Sequence, residues 1–183
     1  MHYLEQENLE RWLDIQNRKK IMQYKYVSTK EYIDAFPCAY RQWRADDKPG
    51  KVPGCNHIHG YSFSMKFYFG TNDLDVRNWV VDYGSLRSLK GVLEDQFDHT
   101  LLVESSDPHI EWYREAERLK IAKVIELPRL GCEALADMLY HYVNDVYLPE
   151  QFGSGESDRI WCFKVEVRET QSNMAYREGN RGE

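Results

Sequence analysis

The sequence predicts an α+β domain in which an antiparallel β-sheet carries helices on one face. Hydrophobic residues alternate with a period of two over residues 55–69 and again over 159–169, which is typical of half-buried strands. An apolar stripe with i, i+3, i+4, i+7 spacing runs from Gly131 to about Tyr147 and indicates an amphipathic helix. Because strands come first, helices next and a strand again near the end, the helices are expected to pack together on the sheet.

The first half of the chain is predicted to hold an appendage, a strand, a loop and a second strand. Residues 1–23 have a loose helical pattern and form an N-terminal helical extension to a domain that spans 24–183. Residues 24–41 are rich in Tyr, Val, Thr, Ile and Phe and favour a strand, whereas residues 45–54 have the Asp, Pro and Gly content of a loop. The alternating segment 55–69 forms the second strand, with polar residues at its start and core residues at its end.

The second half alternates helices and strands. A short strand at residues 79–82 precedes a helix whose apolar residues recur over 86–97. Residues 104–127 include a capping signal followed by proline and are interpreted as an inserted helix. After the strong amphipathic helix comes the strand at 159–169, and residues 175–176 are expected to continue the edge of the sheet.

The composition indicates a one-domain globular protein and argues against nucleic acid and membrane as partners. The chain has 183 residues, the usual size of one domain, with a formal net charge of -6 and a pI near 5.6. This charge gives no overall attraction to nucleic acid or to an anionic membrane surface, so neither is predicted as a partner. The four cysteines are widely spaced and no apolar run reaches the length of a signal peptide or membrane span, which predicts reduced thiols and a cytoplasmic location.

Cys55 and His59 are the first candidate site residues. They lie four residues apart on one face of the predicted second strand, within reach of a common ligand. A thiolate acts as a base or nucleophile when a cation or a metal lowers its pKa. The alternative is that Cys55 is a small buried apolar residue, and that His57 and His59 are polar residues at a strand end. The spacing alone leaves both interpretations open.

Four further polar residues stand at the ends of predicted elements. Asp98 and His99 follow a helix, where the carboxylate can orient the imidazole as a general base, or where the pair can simply cap the helix. Glu169 lies on the inward face at the end of an apolar strand, so its carboxylate needs a partner or a ligand with hydrogen-bond donors. Glu133, near the start of the strong helix, is either a site residue or an acid that compensates the helix dipole.

Six short motifs follow one another along the chain: C-x3-H-G-Y, W-V-V-D-Y-G, F-D-H-T, G-C-E-A-L-A, V-R-E-T and N-x-A-Y. Over residues 25–178 their order and spacing resemble the 6-pyruvoyltetrahydropterin and 6-carboxytetrahydropterin synthase family. The resemblance implies a tunnelling fold (T-fold), in which subunits join their sheets into a β-barrel, usually as a homo-oligomeric hexamer with active sites between subunits. It also implies a carbon–oxygen lyase that converts 7,8-dihydroneopterin triphosphate with loss of triphosphate, towards 6-carboxytetrahydropterin and queuosine-type compounds or towards 6-pyruvoyltetrahydropterin.

The resemblance also implies a role for each motif residue that matches the family. Cys55 corresponds to the active-site cysteine that moves protons on the pterin side chain. Asp98 and His99 correspond to the linked acid–base pair, which in this family can come from a neighbouring subunit. Glu169 resembles the glutamate that anchors the pterin ring through its N–H donors, and Glu133 matches the acid at the start of the family's helix.

Zinc is the cofactor that the resemblance implies, but the sequence departs from the family at the ligands. The family uses a histidine on the first strand and both histidines of an H-G-H triplet, and the aligned positions here are Tyr40, His59 and Tyr61. Neutral tyrosine is a poor ligand for zinc. One hypothesis is therefore a rearranged metal site in which His57 replaces a lost ligand beside His59.

Two metal-free hypotheses stand beside it. In the first, Tyr40, Tyr61 and the cluster at residues 41–44 take over electrophilic and phosphate-binding work, because arginines suit a triphosphate. In the second, the protein is a non-catalytic pterin- or purine-binding relative that keeps the Glu169 anchor and the oligomer.

Overall fold

The structure is a computed structural model that describes residues 24–45 and 54–181. The predicted helical extension at residues 1–23 and most of the predicted loop at 45–54 lie outside the described residues. The described strands are β1 Tyr26–Tyr40, β2 His59–Thr71, β3 Thr100–Glu104, β4 Val124–Leu127, β5 Trp161–Arg168 and β6 Met174–Glu178. The described helices are α1 Arg87–Phe97, α2 Ile110–Arg118, α3 Cys132–Tyr142, α4 Leu148–Phe152 and α5 Glu156–Arg159.

The strands of the described part form one six-stranded sheet in the order β4-β3-β1-β2-β5-β6. The predicted antiparallel pairing is confirmed for β1, β2, β5 and β6. The prediction of a wholly antiparallel sheet is wrong for β3 and β4, which pair in parallel, β3 with β1 and β4 with β3. The reason is connectivity. After β2 and α1 the chain re-enters the sheet beyond β1, and β3 runs antiparallel to β2 and therefore parallel to β1. The helix α2 then joins β3 to β4, and a helical crossover between neighbouring strands makes them parallel.

Three local predictions also need correction. The strand expected over residues 55–69 begins only at His59, so residues 55–58 form a turn instead of strand. The segment 79–82 is not a strand, because Asp75 accepts hydrogen bonds from the backbone amides of Arg77 and Trp79 and holds the chain in a local loop. The insertion at 104–127 contains the expected helix and, in addition, the edge strand β4.

A bulge in β1 keeps its inward face in register with the core. Asp34 has a φ of 45°, and its backbone amide donates to Ser64 Oγ at 2.9 Å, so the extra residues are accommodated without leaving Ser64 unpaired. Tyr32 and Phe36, on either side of the bulge, therefore both point into the core, and the same alternation brings Tyr40 inward at the end of the strand.

The core lies between one face of the sheet and helices α1 and α3. The predicted helix over 131–147 is confirmed as α3 followed by a π-helical turn, Val143–Tyr147. Asn144 in that turn donates to the carbonyl oxygens of Tyr140 and Cys162 and accepts from the amide of Cys162 at 2.9 Å, which joins the helix to β5. Among residues 24–45 and 54–181, no helix has the length and apolarity needed to cross a membrane.

Candidate active site

A pocket of about 340 Å³ opens where β1 and β5 end and β2 begins, beside the first turn of α3. It brings together four of the residues predicted as site residues, Cys55, His59, Glu133 and Glu169. Its other lining residues are Tyr40, Gln42, Tyr61, Gly131, Cys132, Asn173, Met174 and Ala175. Residues far apart in sequence therefore meet at one end of the sheet.

Glu169 reaches the pocket because it continues the inward alternation of β5. Val165 and Val167 are buried, and Glu169 follows them on the same face just beyond the end of the strand. The backbone amide of Glu169 donates to the carbonyl oxygen of Asn173, and Thr170 Oγ1 accepts from the Asn173 amide at 3.0 Å. These bonds fix the turn that leads to β6 and with it the position of the carboxylate.

Hydrogen-bond donors of the protein surround the Glu169 carboxylate. Tyr40 Oη donates to Glu169 Oε2 at 2.9 Å, Cys132 Sγ lies 3.7 Å from the same oxygen, and Asn173 Nδ2 lies 3.4 Å from Oε1. Burial, with the nearby Glu169 charge, raises the pKa of the Cys132 thiol to about 12. Burial and the hydrogen bond to Glu169 raise the pKa of Tyr40 as well. Both groups therefore stay protonated and remain hydrogen-bond donors to the carboxylate.

His59 and Tyr61 form a second hydrogen-bonded group in the same pocket. His59 Nδ1 lies 2.6 Å from the carbonyl oxygen of His57, and His59 Nε2 is hydrogen-bonded to the Tyr61 hydroxyl. A carbonyl only accepts, so the tautomer assigned from this network carries its proton on Nδ1. Burial, followed by the charge of Glu169, raises the pKa of Tyr61 to about 12, which keeps this phenol neutral. The rings of Tyr40 and Tyr61 are stacked with centroids 5.0 Å apart.

The residues at this corner do not fit the zinc site that the resemblance implies. Of the three aligned positions only His59 offers an imidazole, and both of its ring nitrogens already have partners. The neutral phenols of Tyr40 and Tyr61 are poor zinc ligands. Within residues 24–45 and 54–181, no group of three or more His, Cys, Asp or Glu side chains is placed to hold a metal ion.

Cys55 and Glu133 lie at the rim of the pocket. The turn that carries Cys55 is tied to the end of β1 by a bond from the Gln42 amide to the Cys55 carbonyl oxygen at 2.7 Å. Cys55 is exposed, so it is not the small buried apolar residue of the alternative interpretation. Glu133 is exposed in the first turn of α3, directly after Gly131, whose φ of 114° suits glycine at the start of this helix.

The sequence matches the family described as "6-pyruvoyl tetrahydropterin synthase" over residues 28–180. The chain belongs to this family. A 6-carboxy-5,6,7,8-tetrahydropterin synthase of Helicobacter pylori is 24% identical over 120 residues, which cover 65% of this chain and 58% of that protein. A protein of the same name from Aquifex aeolicus is 26% identical over 120 residues, covering 59% of this chain and 74% of the relative. The chain thus spans little more than half the length of the Helicobacter pylori protein.

Solved structures show that the fold is the T-fold of the pterin synthases. An uncharacterized protein from Wolinella succinogenes has a TM-score of 0.69 at 17% identity, with 85% of this chain and 98% of that chain covered. A 6-pyruvoyl tetrahydropterin synthase from Caenorhabditis elegans has a TM-score of 0.52 at 21% identity, with 87% and 100% covered. The predicted T-fold, with helices packed on a sheet, is therefore confirmed for the single chain.

The Asp98–His99 pair lies outside the pocket of its own chain. His99 Nδ1 is 2.7 Å from Asp98 Oδ1, so the predicted contact between carboxylate and imidazole is present. The backbone at His99 has a φ of 57°, and its amide donates to the carbonyl oxygen of Pro37, which turns the side chain outward. With 83% of its side chain exposed, His99 faces away from the core of this subunit.

The structure gives His57 and the two arginines of the cluster at residues 41–44 surroundings that the sequence did not predict. The His57 side chain is exposed in the turn and does not line the pocket, because the strand that was expected to orient it starts two residues later. The guanidinium of Arg41 is paired with both oxygens of Asp107, and Arg44 is paired with Glu104. Both arginines are neutralised by carboxylates, so they are not free phosphate ligands.

Sequence reasoning missed two residues that hold the Glu169 carboxylate. Cys132 and Asn173 both fall within recognised motifs, but neither was assigned a contact. Cys132 precedes Glu133 at the start of a helix, and Asn173 follows Glu169 by four residues in a tight turn. The turn spacing could have identified Asn173, whereas the Cys132 contact depends on how α3 packs against β5.

Proposed function

We propose that this chain is a pterin synthase-like lyase that acts on 7,8-dihydroneopterin triphosphate and releases triphosphate. The product is 6-pyruvoyltetrahydropterin or, when the two outer side-chain carbons also leave as a two-carbon aldehyde, 6-carboxytetrahydropterin. The observation that carries the proposal is the Glu169 carboxylate, which stands in the pocket wall and is held from behind by Tyr40 and Cys132. One edge of a pterin presents two adjacent donors, the ring N3–H and the 2-amino group. A carboxylate accepts two such donors as a bidentate pair.

The remaining site residues supply proton transfer in this proposal. Triphosphate leaves by cleavage of a C–O bond after a proton has left the neighbouring carbon, so this step needs no external oxidant. Cys55, exposed at the pocket rim, is the group that moves protons on the side chain. The exposed Asp98–His99 pair serves the pocket of a neighbouring chain. This arrangement requires a homo-oligomer, and a hexamer would provide it.

Binding of 7,8-dihydroneopterin, measured by calorimetry, tests the anchor. Glu169→Gln replaces a charged acceptor by an amide and is expected to weaken binding by more than about tenfold, because hydrogen bonds to charged groups contribute about 1.5–3 kcal/mol. Glu166→Gln is the matched control: Glu166 lies on β5 three residues before Glu169, pairs with Tyr68 and Lys164, and does not line the pocket. Equal affinity in wild type and Glu169→Gln would remove the anchor role.

Turnover is measured by triphosphate release from 7,8-dihydroneopterin triphosphate, with the pterin product separated by chromatography. Cys55→Ala is expected to abolish turnover and to leave the fold and oligomer unchanged, since the exposed thiol packs against no core residue. Cys38→Ala is the control, because Cys38 is buried in β1 and does not line the pocket. Normal turnover in Cys55→Ala would refute the catalytic assignment.

A second candidate function is binding of a pterin or purine without catalysis. Tyr40 and Tyr61 favour it, because they stand where the resemblance implies zinc ligands. A guanine presents the same pair of adjacent donors as a pterin, so the Glu169 carboxylate fits both ring systems. Tight pterin binding without triphosphate release, in protein assayed with and without added zinc, would decide for this second function.

A further inference from the structure

A chain of hydrogen bonds lines one corner of the pocket, next to the Tyr40 side chain that donates to Glu169. It runs from the carbonyl oxygen of His57 through the His59 ring to the Tyr61 hydroxyl. Since Nδ1 carries the ring proton, Nε2 is an acceptor and Tyr61 donates its proton to it. The lone pair with which His59 would bind a metal is therefore already occupied by a hydrogen bond within the protein.

The direction of this chain determines what the corner offers to a ligand. Tyr61 has donated its proton to His59, and its oxygen keeps lone pairs that can accept a hydrogen bond. Tyr40, stacked on Tyr61, donates its proton to Glu169 and thus connects the corner to that carboxylate. The corner thus presents a hydroxyl oxygen that accepts a hydrogen bond. The resemblance implies three histidines and a bound zinc ion at the same place.

We infer that Tyr61 and His59 form a hydroxyl-binding subsite that takes the place of a zinc ion in this pocket. The inference rests on the proposed function, because Glu169 must hold the amino-substituted edge of the ring for the side chain at C6 to reach Tyr61. A hydroxyl group of that side chain donates to the Tyr61 oxygen. The ligand class is a pterin with a hydroxylated side chain, held by hydrogen bonds and without coordination to a metal.

Two probe ligands separate this subsite from the anchor. Binding of 7,8-dihydroneopterin and of 7,8-dihydropterin, which lacks the side chain, is measured by calorimetry in the presence of EDTA. Tyr61→Phe is expected to weaken binding of dihydroneopterin about three- to tenfold, the range of one lost neutral hydrogen bond, and to leave dihydropterin binding unchanged. Tyr68→Phe is the matched control, because Tyr68 lies on the same strand and donates to Glu166 away from the pocket.

The metal content of the purified protein is an independent readout. Wild type dialysed against zinc is expected to hold far less than one zinc per chain. The double variant Tyr40→His with Tyr61→His places imidazoles beside His59, where the ring centroids now lie 4.8–6.1 Å apart, and is expected to bind one zinc per chain.

The possible failures are distinguishable. The subsite would be overturned if wild type held one zinc per chain and lost it in His59→Ala. It would also be overturned if EDTA weakened the binding of dihydroneopterin. In both cases Glu169 could still be the anchor. An equal effect of Tyr61→Phe on both probes would also overturn the subsite. If neither probe binds wild type, the proposed function itself fails and the subsite fails with it.

Discussion

Tyr40 and Arg41 are neighbours in sequence, but their side chains enter two different hydrogen-bond networks. Arg41 donates to both oxygens of Asp107, at 2.9 and 2.7 Å, and the Asp107 side chain is only 2% exposed. The amide of His109 also donates to Asp107. On the other side, Tyr40 donates to Glu169, whose remaining protein partners lie 3.4 Å or farther away and whose carboxylate faces an open pocket.

The different hydrogen bonding of the two carboxylates indicates that Asp107 has a structural role and that Glu169 is available to a ligand. Short bonds from Arg41 and a backbone amide leave Asp107 little capacity for any further partner. Glu169 has one short bond and long contacts, so it can accept the N–H donors of a ligand in the pocket. Burial alone would raise the pKa of Asp107, but the bonds from Arg41 and the His109 amide outweigh it and hold that pKa below its usual range.

The largest expected effect is on stability and comes from the ion pair between Arg41 and Asp107. Asp107→Asn leaves the Arg41 guanidinium without its counter-ion, and breaking such a pair is expected to lower the free energy of unfolding by about 3 kcal/mol. Urea unfolding followed by circular dichroism measures it, with dihydroneopterin affinity expected to stay unchanged. The exposed pair of Glu126 with Arg114 provides the control, since Glu126→Gln should not change stability measurably.

The pH dependence of that loss sharpens the same prediction. In the folded protein the pKa of Asp107 is lowered, so its ionised carboxylate adds to the free energy of unfolding above the unfolded pKa of ~3.9. This contribution is lost as the pH falls through the folded pKa. The difference in stability between wild type and Asp107→Asn should therefore shrink below about pH 4. A difference that stays constant down to pH 2 would contradict the role given to the ionised carboxylate.

A smaller effect is expected on the ligand-binding side, from a pair of matched tyrosines. Tyr40 and Tyr32 are both buried on the inward face of β1, but Tyr40 donates to Glu169 and Tyr32 donates to the carbonyl oxygen of Leu86. Tyr40→Phe is expected to weaken dihydroneopterin binding by about tenfold, because a hydrogen bond to a charged group is lost from the carboxylate that it orients.

Tyr32→Phe is expected to leave that affinity unchanged and to lower the free energy of unfolding by about 1 kcal/mol. Calorimetry and urea unfolding on both variants make the comparison. Equal losses of affinity in the two variants would show that general packing of β1, and not orientation of Glu169, governs ligand binding.

The sequence predicted those parts of the molecule that local hydrophobic pattern determines. The helices α1 and α3 and the strand β5 follow directly from apolar periodicity, and β1 follows from its content of β-branched and aromatic residues. The inward position of Glu169 was predictable too, because alternation along β5 fixes its face. The parallel strands β3 and β4 were missed, because each is short and their pairing depends on where the chain re-enters the sheet after a helix.

The errors at the site have the same origin in contacts between distant residues. The carboxylates that neutralise Arg41 and Arg44 lie 66 and 60 residues along the chain, so nothing near the arginines indicates that they are occupied. The alternation that continues backwards from His59 suggested a strand at Cys55, whereas the described backbone there is a turn. The position of Glu169 was therefore easier to predict than the pairing of the arginines, because alternation along its own strand sets the face on which it lies.

The smallest expected effect concerns the thiols at the edge of the pocket. Cys55 is exposed, whereas burial raises the pKa of Cys38, Cys132 and Cys162 to about 12 in each case. Because only thiolate reacts, a disulfide reagent at pH 8 should modify one thiol per chain rapidly and the others only on unfolding. Cys55→Ala should remove the fast phase, and saturating dihydroneopterin should slow it in wild type by a fewfold as the ligand covers the rim. If dihydroneopterin also slows the reaction in Glu169→Gln at the same ligand concentration, the ligand reaches Cys55 without the Glu169 carboxylate. The distinction between a structural network at Arg41 and a ligand-binding network at Tyr40 would then not describe ligand binding.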